Sequence, residues 1–460
     1  MTRPSEAATT PAPPGALALE LGLGPKWQRA FAAVERMLGG RVVRAEMQAR
    51  WRPACFLDVE RDGEVLPVYF RGDRTEGSGV YGLEHELGVL QALAAHGIPV
   101  PQVHGFCEDP RGIVMERSPG QANLATARND AERRAVLDHY IDILVEMHRI
   151  DPAVFERIGL ERPRDPRAIA LADLPKWEDS FRRRKSRPEP LIELVLAWLH
   201  DHLPLHRSRV SFAAGDAGQF LFADGRVTAV IDLELAFLGD PLADLAAMRS
   251  RDASEPLGDL SRSFKRYAEL SGEPLDLPAL HFHTARFAIN TPLAVAPLCA
   301  APPPRFNFVQ YFSWYLAYGR LPLEVIAEVE GIELIAPELP GPTVSRHGPA
   351  YEALVALLRD GEPSYQTDTA LRIAELAREL DRRGERVEAQ DLDEVGALVG
   401  RRPTDWHSAD VALEAIAAEA RGPRFADLVR LLYRRVRRQE ALLGAAMREL
   451  AGAEFQRIRL

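Results

Sequence analysis

Apolar positions along the chain change their period several times. Trp27, Phe31, Val34, Met37 and Leu38 recur at helical spacing, and Gly39-Gly40 ends that stretch. Shorter, strand-like runs follow at Val42–Met47, Ala54–Glu60 and Val65–Phe70. Arg61-Asp62-Gly63 reads as a hairpin turn, because Gly accepts the positive φ that a tight hairpin demands. The helical period returns over Glu84–Ala95, where Leu87, Leu90, Leu93 and Ala94 form a stripe and Gly97 stops it. Val103–Cys107 and Gly112–Glu116 are two further strands. This order predicts a small β-rich lobe over residues 19–117.

Beyond Ser118 the pattern is mainly helical. Ala131–His148 carries Val136, Tyr140, Ile143, Leu144 and Met147 on one face, and Pro188–Leu203 is a second helix. The charged, Pro-interrupted stretch 161–187 reads as an excursion or mobile loop. A β segment spans Val210–Leu233, with Ala223-Asp224-Gly225 as its turn. Helices return at Leu242–Ser250, Ser261–Ser271 and through 280–335, completing a larger lobe over 118–335. Pro and Gly recur in 336–350, a linker, and 351–460 reads as a separate all-α extension. Residues 1–18, rich in Pro, Ala and Thr, read as a disordered lead. The class is therefore α+β.

Composition narrows the function. With 57 basic and 67 acidic residues the net charge is −10, which argues against a nucleic-acid partner. Cys55, Cys107 and Cys299 form no metal-type pair and suggest a reducing compartment. No apolar run approaches the roughly 18 residues of a membrane helix. The N-terminus lacks a signal-peptide pattern, so the expected location is cytoplasmic and away from the membrane.

Chemistry concentrates between residues 215 and 245. Gly215-Asp216 precedes a strand, Asp232 follows the apolar run Val227–Ile231, and Glu234 lies two residues on, on the same face if the chain stays extended. Taken singly, Gly-Asp is an ordinary turn and Asp232 an ordinary strand cap. In Gly239-Asp240-Pro241, Asp240 suits a helix cap and Pro241 a first turn, with Asp244 near the positive end of the helix dipole. These are read as scaffold.

The segment GDAGQFLFADGRVTAVIDLELAFLGDPLADL resembles the catalytic region of the aminoglycoside phosphotransferase and choline kinase superfamily, especially the branch of kinase-like domains associated with acyl-CoA dehydrogenases. LEHELGVLQALAAHGIPVPQVHGFCEDPRGIVMERSPG and LVEMHRID resemble it in the same order, so that the likeness covers roughly residues 40–335. It implies a bilobal protein-kinase-like fold and a Mg²⁺-dependent kinase that moves the γ-phosphate of ATP or GTP to a small-molecule hydroxyl. The implied acceptor is a hydroxy-acid, a hydroxyacyl thioester or an antibiotic-like alcohol. By the same resemblance Asp216 is the catalytic carboxylate and Asp232 the metal-binding aspartate; Gln219, in place of the family's Asn, still offers a carbonyl oxygen to the metal, and Glu234, on the same face if the chain stays extended, is an outer-shell or second-metal ligand. Arg71, held by Glu86, stands where the family places a phosphate-binding cation, although a surface ion pair reads equally from the residues alone. Met115, Glu116 and Arg117 fall in the inter-lobe connection, with backbone groups available to an adenine edge.

Three departures motivate an alternative, a catalytically inactive kinase-fold binding or scaffolding protein using the C-terminal extension for protein contact. Ala214 replaces the family's His, only two residues separate Asp216 from Gln219 where the family has four before an Asn, and Gln48–Pro53 is not a Gly-rich loop. Its Arg50 and Arg52 could contact phosphates or be solvated. Other clusters read as structural. His200, Asp201, His202 and His206 mark a helix end, His148 is a core hydrogen-bonder, and Phe306–Tyr318 is helix packing that could also wall an apolar pocket. His281, His283, Arg286 and Asn290 lie on the acceptor side, and the arginines of 434–438 read as a solvated helix face.

Overall fold

A computed structural model describes residues 14–48, 52–73, 80–304 and 306–459. Both hairpin turns form as their sequences require. Asp62 and Gly63 take φ of 54° and 81°, and Asp224 and Gly225 take 49° and 77°. Two consecutive positive φ values give the twist that suits a two-residue hairpin.

The chain divides into two compact units. The first comprises residues up to 77 together with Gly82–Pro119, and the second Ser78–Tyr81 with Gly120–Leu460. The first holds an antiparallel five-stranded sheet. Arg41–Met47, Ala54–Arg61 and Glu64–Gly72 form a meander, Arg111–Glu116 pairs with the third of these, and Val103–Glu108 lies outermost. The helix Pro25–Leu38 buries Phe31 and Val34 with Leu57, Val59, Phe70 and Val114. The α+β class and the β-rich-then-helical order agree with the sequence pattern.

The residues of the second unit described here are mainly helical. The long helices Leu277–Ala300 and Phe308–Glu330 share one apolar core with Pro190–Asp201, Trp406–Ala417 and Gly422–Leu443. The helices from Tyr365 onward thus bury apolar residues in the same core as the preceding ones. Two segments depart from the sequence reading. Residues 161–187 contain the helices Pro166–Leu171 and Leu174–Arg184, which place Trp177 and Phe181 in the core and Arg182 and Arg183 outside. The charged outer face hid this amphipathic pattern. Within the lead predicted over 1–18, residues 1–13 lie outside the described residues, and Ala16–Glu20 is a short helix with Ala18 buried. No described helix is long and apolar enough to cross a membrane. All three cysteines are free and buried.

Asp240, fully buried, accepts the amide of Leu242 at 3.0 Å and so caps the following helix. It also takes both Nε and Nη2 of Arg207, at 2.8 and 2.9 Å, with His283 Nε2 at 3.4 Å. Burial by itself would raise this carboxyl, but His283 and Arg207 overcome it and hold the group below the ordinary carboxylate range. A depressed folded-state pKa stabilises above the unfolded value of roughly 4 and loses its effect as pH falls through the folded value. Arg207→Met is therefore expected to be less stable than the parent at pH 7. Denaturant titrations should show the deficit narrowing below about pH 4.

Candidate functional site

The loop Ala214–Gln219 is held from several sides. It leaves the buried strand Ser211–Ala213, which pairs with Phe237–Gly239. Gly215 has φ of 82°, and a Cβ there would come within 2.0 Å of the Leu235 carbonyl oxygen. Only glycine fits both the conformation and the space. Gly215→Ala is expected to cost at least about 1–3 kcal/mol and to displace the neighbouring Asp216; a lowered melting temperature with lost activity is the check.

Asp244 anchors the start of this loop. Its Oδ2 accepts the amide of Ala214 at 2.8 Å and its Oδ1 that of Gly215 at 3.0 Å, in full burial. His148 Nε2 lies 3.0 Å from Asp244 Oδ2, and its Nδ1 lies 2.7 Å from the Tyr267 hydroxyl. At the far end Gly218 donates its amide to the Tyr140 hydroxyl at 2.7 Å. His148 and Asp244 thus act as scaffold for the backbone ahead of Asp216, as their sequence context suggested, while Tyr140 holds the backbone behind it.

Asp216 is clamped by Arg251. Arg251 Nε reaches Oδ1 at 3.1 Å and Nη2 reaches Oδ2 at 2.5 Å, while Gln219 Nε2 donates to Oδ2 at 2.8 Å. Burial pushes the Asp216 carboxyl above the ordinary range; Arg251 opposes the rise, and the negative charge of Asp232 adds to it. Burial also disfavours the Arg251 charge, but Asp216 and Glu255 outweigh that and hold it firmly protonated. Sequence reasoning missed Arg251. The available signal is its position seven residues after Asp244 on the helix Leu242–Arg251, hence on the same face. That face carries both the anchor of the loop and the clamp on its carboxylate.

Asp232 joins this site through a hairpin. Phe220–Ala223 pairs with Arg226–Val230, and the Ile231 amide donates to the Gln219 carbonyl at 3.1 Å. The ladder thus sets Gln219 opposite Ile231, next to Asp232. Asp232 itself has φ of 59°, an uncommon left-handed conformation for a residue with a side chain. The chain therefore does not stay extended, and the same-face argument for Glu234 does not apply. Both Asp232 and Glu234 are half-buried.

In the first unit Arg71 Nε donates to Glu86 Oε2 at 2.7 Å, with both side chains almost fully buried. This excludes the reading as a surface pair. At the connection expected to offer backbone groups to an adenine edge, two of the amides are already used. The Glu116 amide bonds Gln102 and the Arg117 amide bonds Pro67, while Met115 pairs within the sheet and is buried. Arg117 also reaches Asp58 at 2.7 Å. Arg52 is buried rather than solvated, and Arg50 lies outside the described residues.

The acceptor-side residues prove internal. Arg286 is fully buried against Asp173 at 2.6 Å, and His283 is fully buried beside Asp240. His281 and Asn290 are buried as well. Among the described residues no group of three His, Cys, Asp or Glu side chains is arranged to hold a metal, which includes the cluster at His200–His206. The reading of residues 434–438 as a solvated face is corrected. Arg438 is 1 % exposed, and Arg435 pairs with Asp391 and Asp410.

The segment that carries this site has known relatives. Residues 79–279 match the model of the phosphotransferase enzyme family. Acyl-CoA dehydrogenase family member 10 of Mus musculus is 29 % identical over 180 residues, covering 36 % of this chain and 16 % of the relative. Acyl-CoA dehydrogenase family member 11 of Homo sapiens is 26 % identical over 176 residues, 36 % of this chain and 22 % of the relative. The chain thus spans about a fifth of the length of the curated relatives it matches. A thermostable mutant of aminoglycoside phosphotransferase APH(4)-Ia, solved with ADP and hygromycin B, is 16 % identical with a TM-score of 0.46, over 64 % of this chain and 96 % of that one. Over residues 79–279, then, the chain is similar to the phosphotransferase enzyme family.

Proposed function

We propose that the protein is a small-molecule kinase that transfers the γ-phosphate of ATP or GTP to a hydroxyl group with the aid of Mg²⁺. The observation that carries this reading is the meeting of Asp216 and Asp232 at one end of a hairpin inside the family-matched segment. Asp216 orients the acceptor hydroxyl and accepts its proton. A carboxylate has about four lone-pair sites, so the bonds from Arg251 and Gln219 leave room for that hydroxyl. Arg251 opposes the effect of burial on the carboxylate and fixes its direction.

The donor chemistry fits a hard divalent cation. Asp232 and Glu234 offer carboxylate oxygens, and Gln219 spends its amide nitrogen on Asp216, which leaves its carbonyl oxygen for a metal. Mg²⁺ is commonly held by one or two carboxylates together with substrate phosphates and water, so a three-carboxylate cage is not required. Bound there, Mg²⁺ supplies neutralisation of phosphate charge. Arg71, fixed by Glu86, serves the nucleotide phosphates. The names of the relatives favour a hydroxyacyl thioester among the acceptors considered.

The engagement of both Asp216 oxygens, with Ala214 and the short loop, favours the second reading, a non-catalytic binding module. Thermal shift separates the two. A kinase is expected to be stabilised more by ATP with Mg²⁺ than by either alone. Folded protein showing no metal-dependent shift would favour the binding module.

A further inference from the structure

The helix Leu242–Arg251 carries Asp244, which anchors the Ala214–Gln219 loop, and Arg251, which clamps the Asp216 carboxylate. Arg251 is the last residue of that helix. A helix end has no further turn to brace it and opens more readily than the middle. If Asp216 is to keep one direction, this end needs support from elsewhere.

The residues flanking Arg251 are both tied to one distant residue. Arg249 Nε donates to the backbone carbonyl of Gln456 at 2.7 Å, and Gln456 Nε2 donates to Asp252 Oδ2 at 2.7 Å. The same Nε2 reaches the Gly258 carbonyl at 2.5 Å, while Gln456 Oε1 accepts the Leu260 amide at 3.3 Å. Gln456 thus spends its side-chain amide on the turn that joins this helix to the next, Leu260–Ser271. Both of its targets beside Arg251 are buried, Arg249 at 2 % and Asp252 at 6 % exposure. Burial pushes the Asp252 carboxyl up, and the Leu257 amide and Gln456 oppose the rise. A donor lost from such a group costs more than one lost at the surface.

Gln456 is itself held on either side. Arg320 Nη2 donates to the Ala453 carbonyl at 2.5 Å, and its guanidinium lies 5.0 Å over the Phe455 ring. Ala453 and Ile458 are buried, and the Arg459 amide donates to Ser261 Oγ at 2.9 Å. Arg320 also bonds Glu440 at 2.8 Å, so the helices Phe308–Glu330 and Gly422–Leu443 supply the anchorage. A segment that only covered the core would need Ala453 and Ile458 alone. The polar contacts of Gln456 go instead to the two sides of Arg251.

We propose that the segment Ala453–Arg459 is a strap whose Gln456 is a positioning residue, fixing Arg251 and through it the Asp216 carboxylate. The strap lies beyond the family-matched residues 79–279 and gives the helices that anchor it a task at the candidate site. Its consequence for catalysis rests on the phosphotransferase reading; the positioning itself does not.

The test uses the full chain with isotope-labelled arginine and nuclear magnetic resonance, without nucleotide or acceptor, so that failure of the phosphotransferase reading leaves it unaffected. The Arg251 Nε–H signal is assigned by its loss in Arg251→Met. Gln456→Met keeps the length of the side chain and removes its amide. Solvent exchange of the Arg251 Nε–H is expected to rise about tenfold or more, because local opening at the helix end governs it. The Arg286 Nε–H, 3.3 Å from His283 Nδ1 and buried in the same unit, is expected to change little. Gln456→Asn withdraws the amide by one methylene and should shift Arg251 in the same direction, which supplies the test if Gln456→Met does not fold. Unchanged Arg251 exchange in the folded variant, or equal acceleration at Arg251 and Arg286, would overturn the assignment.

Discussion

Asp216→Asn is expected to lower phosphotransfer by about 10²–10⁴-fold, the range of a lost general base. The substitution keeps the shape of the side chain and removes its charge and basicity. Circular dichroism should report an intact fold, because the loop backbone is anchored separately by Asp244 and Tyr140. Some stability is lost as well, since among the described residues Arg251 keeps only Glu255 as an acidic partner. Arg251→Met probes the same bond from the other side. It leaves a buried carboxylate without its guanidinium, so turnover should fall at neutral pH and the double variant should cost less than the sum of the two singles. Additive losses would show that Arg251 acts independently of Asp216.

The largest loss of stability is expected from Arg286→Met, about 3–5 kcal/mol, because breaking a buried pair strands the other charge. Arg286 is fully buried, bonds Asp173 at 2.6 Å and lies 5.0 Å over the Phe237 ring. Asp173 is nearly as buried and also receives the Trp177 indole N–H at 2.7 Å. Urea midpoints at constant slope measure the effect. Asp173→Asn in the Arg286→Met background should recover part of it, because the stranded charge is then removed.

Much of the candidate site's arrangement was legible in the sequence because its parts are local. Asp216, Gln219 and Asp232 flank one hairpin whose turn, Asp224-Gly225, announces itself, and the strand register brings its ends together. Arg71 and Glu86 were legible through strand and helix order. Arg251 was not, because its partner is 35 residues away and a basic residue in the last turn of a helix has an adequate local explanation in the helix dipole. The same reason hid Arg435 and Arg438, whose partners lie on other helices. A charged residue declares its charge in the sequence but not its burial, and pairing across distant segments decides that. The extended-chain argument for Glu234 fails for a different reason, a single positive φ at Asp232 that turns the chain out of the extended path.

The central claim is that Asp232 and its neighbours hold the metal of a phosphotransfer site. Electron paramagnetic resonance of Mn²⁺, used in place of Mg²⁺, tests it most directly. With a non-hydrolysable ATP analogue present, the parent protein is expected to bind one Mn²⁺ tightly, and Asp232→Asn, folded, is expected to lose that signal. Equal Mn²⁺ binding by the two proteins, or none by the folded parent with nucleotide, would contradict the account.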